Sequence, residues 1–323
     1  MAKNIKLLNK PKLRNPYFIA AWTGMGEVAL KAAIYLKDKL GAEEFAVFKP
    51  EGFFQPQGIE ISDYLVKTTS LPEGKFYFYK NKLLKNDLII FISDTQPIFE
   101  KNYDYAKQII SFVKDYKIKM VFSFAALPSP IEHINKPGVW AVVTNKQLIP
   151  DLKKFSIKMM PKGNISGLNG LILGLAKEAS IPGICLLGEI PFYTIQIENP
   201  FASLAVLEML SKIINLKIDL KGLEDQAGLI NHEIEKFINF LKDPDAQEEP
   251  IGIDEIEKIK DALDAYTKIP DSVKNKIESL FNEAKEDIAH AGELKKELDR
   301  WNIYKEYEDR FLDLFKKSPK KDN

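Results

Sequence analysis

The sequence predicts an α/β fold in which a mainly parallel sheet is flanked by helices, followed by a helical C-terminal region. Strand and helix patterns alternate through residues 1–222, as in sheets built from right-handed crossovers. Several strand segments are continuously apolar, which is typical of strands covered on both faces. From residue 223 to 323 only helical periodicity is visible in the sequence. We therefore expect an α/β domain over 1–222 and a helical region over 223–323.

The elements follow from the spacing of apolar residues along the chain. Strands are predicted at 17–22, 45–48, 59–69, 75–79, 88–92, 119–124, 139–143 and 183–189. The alternating segments 59–69 and 75–79 are expected to form an antiparallel excursion from the main sheet, and 125–130 is expected to be a loop. Helices are predicted after Gly26, at 106–113, from 168 and at 202–214, and four helical stripes follow at 223–241, 256–266, 273–288 and 294–315. The acidic, proline-bounded segment 243–250 predicts a loop between the stripes.

A glycine-rich stretch at 163–170 runs directly into an amphipathic helix, and an apolar strand follows at 183–189. Apolar residues at helical spacing indicate that this helix packs on the sheet. Its first amides, little obstructed by side chains, can hold an anion or a carboxylate of a partner. Equally, the glycines can serve only a tight helix–strand contact. The sequence leaves both interpretations open.

Two further segments complete a recognisable order of motifs. The strand with Leu-Leu-Gly-Glu at 186–189 is followed by a proline loop and by a helix containing Ala-Ser-Leu-Ala at 202–205. Nearer the N-terminus, Ala-Trp-Thr-Gly-Met-Gly-Glu at 21–27 combines the end of a strand with a glycine turn. Taken together over residues 15–222, this order resembles the proteasome assembly chaperone 2 (PAC-two) family. The resemblance implies a phosphorylase/hydrolase-like α/β fold and a role in protein binding or assembly. It also implies self-association, for which we expect a trimer rather than a pentamer, and the nearly all-apolar helix 202–214 agrees with a buried contact.

This sequence departs from the family pattern at its C-terminal residues. Some archaeal relatives dock on proteasome α-rings through a C-terminal tail of the form hydrophobic-Tyr-any, whereas this sequence ends Lys321-Asp322-Asn323. Aromatic residues at helical spacing offer a different contact, that of a helix in a groove, although such spacing is also that of a helix packed on its own core. They are Trp301, Tyr304, Tyr307, Phe311 and Phe315.

Composition restricts the class of protein. Lys plus Arg and Asp plus Glu number 46 each, so no overall field favours nucleic acid or an anionic membrane. The single cysteine, Cys185, lies in an apolar strand and is expected to be buried and inert. No apolar run is long enough to span a bilayer, and the first ten residues do not have the pattern of a secretory signal. We expect a cytoplasmic protein.

The motifs of the common catalytic classes are absent from the sequence. There is no Walker loop, no full G-x-G-x-x-G fingerprint, no H-E-x-x-H and no G-x-S-x-G. The looser form G-x-G-x-x-A at 24–29 suits packing or partner contact better than dinucleotide binding. The three histidines, His133, His232 and His290, are far apart in exposed loops or helices by prediction, so we expect no metal site and no cofactor.

Polar residues and glycines at predicted strand ends are the remaining candidates. In open α/β sheets ligands bind outside the carboxyl ends of the strands. Asp94 and Glu189 would serve acid–base chemistry only if they converged, and carboxylates at such positions commonly cap loops. If Gly26 lets a ligand or partner approach, Gly26→Val is expected to abolish binding while the fold stays intact. The candidate ligand- or partner-binding residues are Gly24, Met25, Gly26, Asp94, Asn164, Ser166, Asn169 and Glu189.

Two functions follow from these observations. The first is a non-catalytic protein-binding or assembly factor, which the resemblance implies and which the absence of a nucleophile–base pair favours. The second is an enzyme or binder of a small phosphate- or nucleoside-like ligand at the strand ends, suggested by the phosphorylase-like fold. A shared fold does not transfer activity, so the first is expected.

Overall fold

A computed structural model describes residues 4–56, 58–62, 64–68, 70–82, 86–242, 271–300 and 304–316. The chain divides into two compact units, Met1–Tyr266 and Thr267–Asn323. The strands of the first unit are β1 (Ile5–Leu7), β2 (Tyr17–Trp22), β3 (Glu43–Phe48), β4 (Ile59–Ser62), β5 (Leu65–Thr68), β6 (Gly74–Tyr79), β7 (Leu88–Ser93), β8 (Met120–Ser129), β9 (Val139–Val143), β10 (Lys158–Met159) and β11 (Gly183–Pro191). Its helices are α1 (Val28–Leu40), α2 (Asn102–Lys114), α3 (Ile149–Lys153), α4 (Leu168–Glu178), α5 (Pro200–Ile214) and α6 (Lys221–Lys242).

Nine strands form one mixed sheet in the order β1-β3-β6-β7-β2-β8-β11-β9-β10. The four central strands, β7, β2, β8 and β11, are parallel, and antiparallel strands adjoin them on both sides. Helices α1 and α5 pack on one face of the sheet, and α2 and α4 pack on the other. This arrangement confirms the predicted α/β class with helices on both faces. The parallel strands end at one common edge, which we call the carboxyl edge.

Two predicted segments differ from the structure. Residues 59–69 are not one strand: β4 and β5 form a separate antiparallel hairpin, and β6 belongs to the main sheet instead. The hairpin turns at Tyr64, whose φ of 65° is left-handed. Residues 125–129 are not a loop but the end of β8, because they remain paired with β11 as far as Ser129 and Pro191.

Helix α5 is covered by its own chain. Its apolar residues lie against the sheet and α1, and α6 packs on it through Leu223. Leu207 and Leu210 are completely buried. The apolar character of α5 therefore reflects burial on several sides within the first unit, and it does not by itself indicate self-association.

The described residues of the second unit form helices, in agreement with the predicted C-terminal helices. Its helices are α7 (Asp271–Glu286), α8 (Ala291–Arg300) and α9 (Tyr304–Lys316). They share a small core that contains Phe281, Leu294, Leu298 and Phe311. The predicted stripe at 256–266 and the predicted loop at 243–250 lie outside the described residues. None of the helices among the described residues is long and apolar enough to cross a membrane.

Candidate functional site

Asn169 fastens the start of α4 to the end of the central strand β2. The backbone N–H of Trp22 donates to Asn169 Oδ1 at 3.0 Å, and Asn169 Nδ2 donates to the carbonyl of Trp22 at 3.1 Å. Both residues are buried. The side chain of Asn169 is therefore engaged inside the protein, where it satisfies two backbone groups that water cannot reach.

Gln96 makes a second bridge beside Asn169. Its Nε2 donates to the carbonyl of Thr23 at 2.9 Å, and its Oε1 accepts from the amide of Leu168 at 3.3 Å. Gly167, with φ of 75°, lies against it, since a Cβ there would be 3.1 Å from the Gln96 amide group. No motif in the sequence indicated this bridging role of Gln96. Its partners lie more than 70 residues away and leave no local signal.

The two glycines after β2 have different surroundings. Gly24 is exposed and extended, and a Cβ there would make an ordinary contact of 3.5 Å with Asn169 Nδ2. Gly26 is buried with φ of 60°; its N–H donates to Ile195 and its carbonyl accepts from Asn199, both at 2.8 Å. The local backbone thus requires glycine at 26 but not at 24.

Thr23, Met25 and Glu27 complete this loop. Glu27 also has a positive φ, 51°, and its carboxylate accepts from Thr23 Oγ1 at 2.6 Å. Met25 between them is half-buried. Asn199, which holds Gly26, also caps α5 by accepting from the amide of Ala202 at 3.0 Å. The sequence Asn199-Pro200 is a usual helix start and was the available signal for this cap.

Glu189 ties β11 to the neighbouring strand β9. Its Oε2 accepts from the amide of Gly138 at 2.9 Å, and its Oε1 accepts from Trp140 Nε1 at 2.7 Å. A Cβ at Gly138 would lie 2.5 Å from Glu189 Oε2, so a side chain there would displace the Glu189 carboxylate. Sequence reasoning missed both partners, since neither Gly138 nor Trp140 belongs to a recognisable motif.

Asp94 and Glu189 are not brought together. Asp94 follows β7, and β2 and β8 separate that strand from β11. Three interstrand spacings amount to about 14 Å. Asp94 is exposed and accepts from Thr95 Oγ1 at 3.2 Å, while Glu189 is directed at β9. The condition under which this pair could share acid–base chemistry, that the two carboxylates converge, is therefore not met.

The glycine-rich loop runs between these two groups of contacts. Ile165 packs with Trp140 and Met160 on the sheet, and the loop then reaches Gln96 at Gly167. Asn164 and Ser166 flank Ile165 and are exposed. Of the candidates at the carboxyl edge, the structure thus gathers Gly24, Met25, Gly26 and Asn169 around the end of β2. Glu189 belongs to a separate group.

His133 occupies a more enclosed place than the sequence predicted. The phenol of Tyr193 lies 2.9 Å from both its backbone N and its Nδ1, and Asn231 of α6 donates to its carbonyl at 2.8 Å. We call these three residues the His133 hub. The hub joins the loops after β8 and β11 to α6. The next residue after His133, Ile134, and the one before Tyr193, Phe192, expose 63% and 57% of their surface.

The other titratable groups give no further candidate. Cys185 is buried, as expected, and burial raises the pKa of its thiol to about 12, which disfavours the reactive thiolate. Within the described ranges, three or more His, Cys, Asp or Glu side chains nowhere gather in a way that would hold a metal ion.

Comparison with known proteins agrees with this architecture. An uncharacterised protein of Methanocaldococcus jannaschii, MJ1210, is 29% identical over 231 residues, which are 71% of this chain and 85% of the relative. PbaB of Pyrococcus furiosus, described as an archaeal proteasome activator, is 28% identical with a TM-score of 0.61, over 72% of this chain and 97% of PbaB.

Similarity at the level of fold extends further. PbaA of Pyrococcus furiosus, described as an archaeal homologue of proteasome-assembly chaperone, has 23% identity and a TM-score of 0.56, over 74% of this chain and 99% of PbaA. Residues 18–238 match the profile of the PAC2 family. This range contains the carboxyl edge, the His133 hub and most of α6. The chain belongs to the PAC2 family.

Proposed function

We propose that this protein is a non-catalytic protein-binding factor that acts in the assembly or activation of the proteasome, and that it works as a homo-oligomer, a trimer. Membership of the PAC2 family supports a role of this kind. So do the similar structures of PbaB, described as a proteasome activator, and of PbaA, described as a homologue of proteasome-assembly chaperone. We further propose that it acts in the cytoplasm.

One observation at the carboxyl edge carries the proposal. The side chains of Asn169, Gln96 and Glu189 all form hydrogen bonds with partners within the chain. Ile134 and Phe192, on the other hand, are more than half exposed beside the His133 hub. A small polar ligand needs convergent free polar groups, whereas exposed apolar side chains on a fixed scaffold suit a protein partner.

The test uses the whole chain and 20S proteasome purified from the organism in which the chain occurs. Wild-type protein is titrated against the particle, and binding is followed by sedimentation together with the peptidase rate of the particle. We expect saturable binding at micromolar concentration and a changed peptidase rate. Absence of both would contradict the proposal.

The same protein preparation tests the alternative, a phosphate- or nucleoside-like ligand. A ligand present at 100 times its Kd stabilises the folded state by about 2.7 kcal/mol, which is readily seen as a rise in melting temperature. We expect no rise with phosphate or nucleosides at millimolar concentration. A clear rise, combined with no proteasome binding, would favour the small-ligand function.

A further inference from the structure

The edge of the main sheet opposite the carboxyl edge carries an excess of positive charge, and we call it the amino edge. Strands β7, β2 and β8 begin there. Exposed lysines lie in the segments that lead into β2 and β8, at the end of α2 and just after β6. The seven are Lys10, Lys12, Lys80, Lys82, Lys114, Lys117 and Lys119. The whole chain has a formal net charge of zero, so this excess is local.

The lysines extend along the amino edge and are not gathered at one point. Residues 9–16 run from the start of β3, where the amide of Asn9 donates to the carbonyl of Phe45 at 3.1 Å, to the start of β2. They pass the ends of β6 and β7 on the way, since the guanidinium of Arg14 donates to the carbonyl of Asn81 at 2.6 Å. Four interstrand spacings separate β3 from β8, which amounts to about 19 Å. The positive charge therefore forms a strip.

Internal hydrogen bonds fix the loops of this edge to one another. The carboxylate of Asp87, whose side chain is 1% exposed, accepts from the backbone amides of Arg14 at 2.6 Å and of Asn81 at 3.0 Å. It also pairs with the Arg14 guanidinium at 3.4 Å. The backbone amide of Lys119 donates to the carbonyl of Pro16 at 2.8 Å. The buried carboxylate is thus balanced by Arg14 and does not neutralise the seven lysines.

The seven lysines differ from several others of the first unit in having no acidic partner. Lys31, for example, pairs with Glu198 at 2.8 Å. Within the described ranges, none of the seven forms an ion pair. Asp115 is the only exposed carboxylate in the described parts of the segments that carry them, and Glu43 borders the edge at the start of β3. Since the Debye length is about 8 Å at physiological ionic strength, neighbouring charges along the strip reinforce each other.

We infer that the amino edge binds the phosphate backbone of a nucleic acid duplex without sequence specificity. Protein interfaces are depleted in lysine and are anchored by buried aromatic and apolar side chains. Among the described residues of this edge, by contrast, no large apolar side chain is exposed. The same composition disfavours a membrane surface, because no apolar group is available for insertion between lipids. A phosphate backbone requires only a row of cations.

The geometry favours a duplex over a single strand. Each strand of a duplex carries one phosphate per about 3.4 Å of axis, so a strip of about 19 Å faces five or six phosphates. Single strands are bound by stacking bases on exposed aromatic rings. The tyrosines beside the lysines, Tyr17, Tyr79 and Tyr116, are half-buried, and the Lys119 ammonium lies 5.1 Å from the centre of the Tyr17 ring. Lysine also lacks the planar fork with which arginine reads a base edge.

The test measures binding of the whole chain to fluorescently labelled duplexes by anisotropy. Two DNA duplexes of unrelated sequence and one RNA duplex are used, each longer than the strip, and DNA and RNA distinguish the two sources of the same backbone. We expect a Kd in the micromolar range at about 50 mM salt, equal for the two DNA sequences. Five phosphate contacts give a slope of about −4.5 for log K against log salt, so affinity should fall roughly 500-fold by about 200 mM.

The two ends of α2 provide matched variants. Lys117 follows the helix at the amino edge, whereas Lys101 precedes it at the carboxyl edge, about 20 Å away, and is also exposed. We expect Lys117→Glu to raise the Kd about tenfold and to reduce the salt slope by about 1, and Lys12→Glu to do the same. Lys101→Glu changes the net charge equally but should stay within about twofold of wild type, because salt screens a charge at that distance.

Each outcome supports or overturns the inference. A wild-type chain that binds neither kind of duplex at low salt overturns it, and so does equal weakening by all three variants. Binding to poly-glutamate or to phosphatidylserine vesicles without binding to duplexes would assign the edge to a protein or a membrane instead. The substituted side chains are exposed, so melting temperatures should agree within a few degrees and exclude unfolding. Titration of the same variants against the proteasome reports separately on the function proposed above.

Discussion

Asn169 and Trp22 exchange two hydrogen bonds although they are 147 residues apart in the sequence. The pair closes the end of the central strand β2 with the first turn of α4. The side-chain amide of asparagine, like a backbone peptide, combines N–H donors with a carbonyl acceptor. It can therefore pair with both backbone groups of Trp22, beyond Ala20, where the pairing of β2 with β8 ends. The carboxyl edge is thus built around an internal contact.

Asn169→Ala should destabilise the protein. The substitution leaves the N–H and the carbonyl of Trp22 unpaired in a buried place, and each such group costs about 1–3 kcal/mol. We expect the free energy of unfolding to fall by about 2–5 kcal/mol, measured by urea unfolding with circular dichroism. Asn164→Ala, at an exposed position of the same loop, should stay within about 0.5 kcal/mol of wild type. Equal stability of the two variants would exclude a structural role for the hydrogen bonds between Asn169 and Trp22.

Gly26→Ala and Gly24→Ala should have opposite effects on thermal stability. An alanine at 26 must adopt a left-handed conformation and press on Asn199, a strain of about 1–3 kcal/mol. An alanine at 24 is compatible with the extended backbone and should stabilise by up to about 1 kcal/mol through the unfolded state. The earlier expectation that Gly26→Val leaves the fold intact is therefore replaced by an expected loss of stability. Differential scanning calorimetry of both variants checks the sign, and a stable Gly26→Ala would refute it.

Stability of the helical second unit should depend on pH through Glu278. Arg310 donates two hydrogen bonds to this carboxylate at 2.5 and 2.6 Å, which lowers the pKa of Glu278 from its ordinary 4.5. A depressed pKa in the folded state means that the pair stabilises above pH 4.5 and that this contribution is lost as the pH falls through the folded pKa. Both side chains are partly exposed, so the contribution is below about 1 kcal/mol.

The measurement is the difference in melting temperature between wild type and Glu278→Gln from neutral pH to about pH 2. We expect the difference to shrink toward acid pH, because the protonated glutamate also loses its ion pair. Arg310→Gln should repeat this pH dependence, with an additional constant loss from its contact of 4.1 Å with the Phe281 ring. A difference that grows toward acid pH would contradict the assignment.

Phe192→Ser should weaken binding to the proteasome. Removing an exposed aromatic anchor from an interface commonly costs about 1–3 kcal/mol, equivalent to a roughly 5- to 100-fold rise in Kd. Phe315→Ser is the matched control, since Phe315 of α9 is 52% exposed. We expect it to bind like wild type in the sedimentation titration. If Phe315→Ser weakens binding and Phe192→Ser does not, the contact lies on the C-terminal helices and not beside the His133 hub.

The periodicity of the sequence was sufficient for the framework of the fold. The strand at residues 17–22 has the predicted bounds because it is a continuous apolar run, and the helix starts at Leu168 as predicted because apolar residues at helical spacing follow a glycine-rich stretch. The hairpin was missed because its turn includes Tyr64 in a left-handed conformation and offers no Asn-Gly or Gly-Gly signal.

The contacts of the candidate site were much less accessible from the sequence. Glu189 was a candidate ligand- or partner-binding residue, yet its two oxygens accept hydrogen bonds from Gly138 and Trp140, about 50 residues earlier in the chain. Such pairing is decided by which strands become neighbours, and local propensity carries no information about it. The placement of polar residues at strand ends was therefore predictable, but their partners were not.

The contacts that Asn169, Ile195 and Asn199 make with the end of β2 and the loop after it constrain the order in which the chain can fold during synthesis. Residues 17–27 leave the ribosome early, but Asn169, Ile195 and Asn199, which close this segment, are made more than 140 residues later. Until then the central strand has an incomplete end and only part of its sheet, so a nascent chain stopped before residue 199 should remain sensitive to proteases. The end of β2 and its loop can therefore fold fully only once the chain has been synthesised as far as the start of α5.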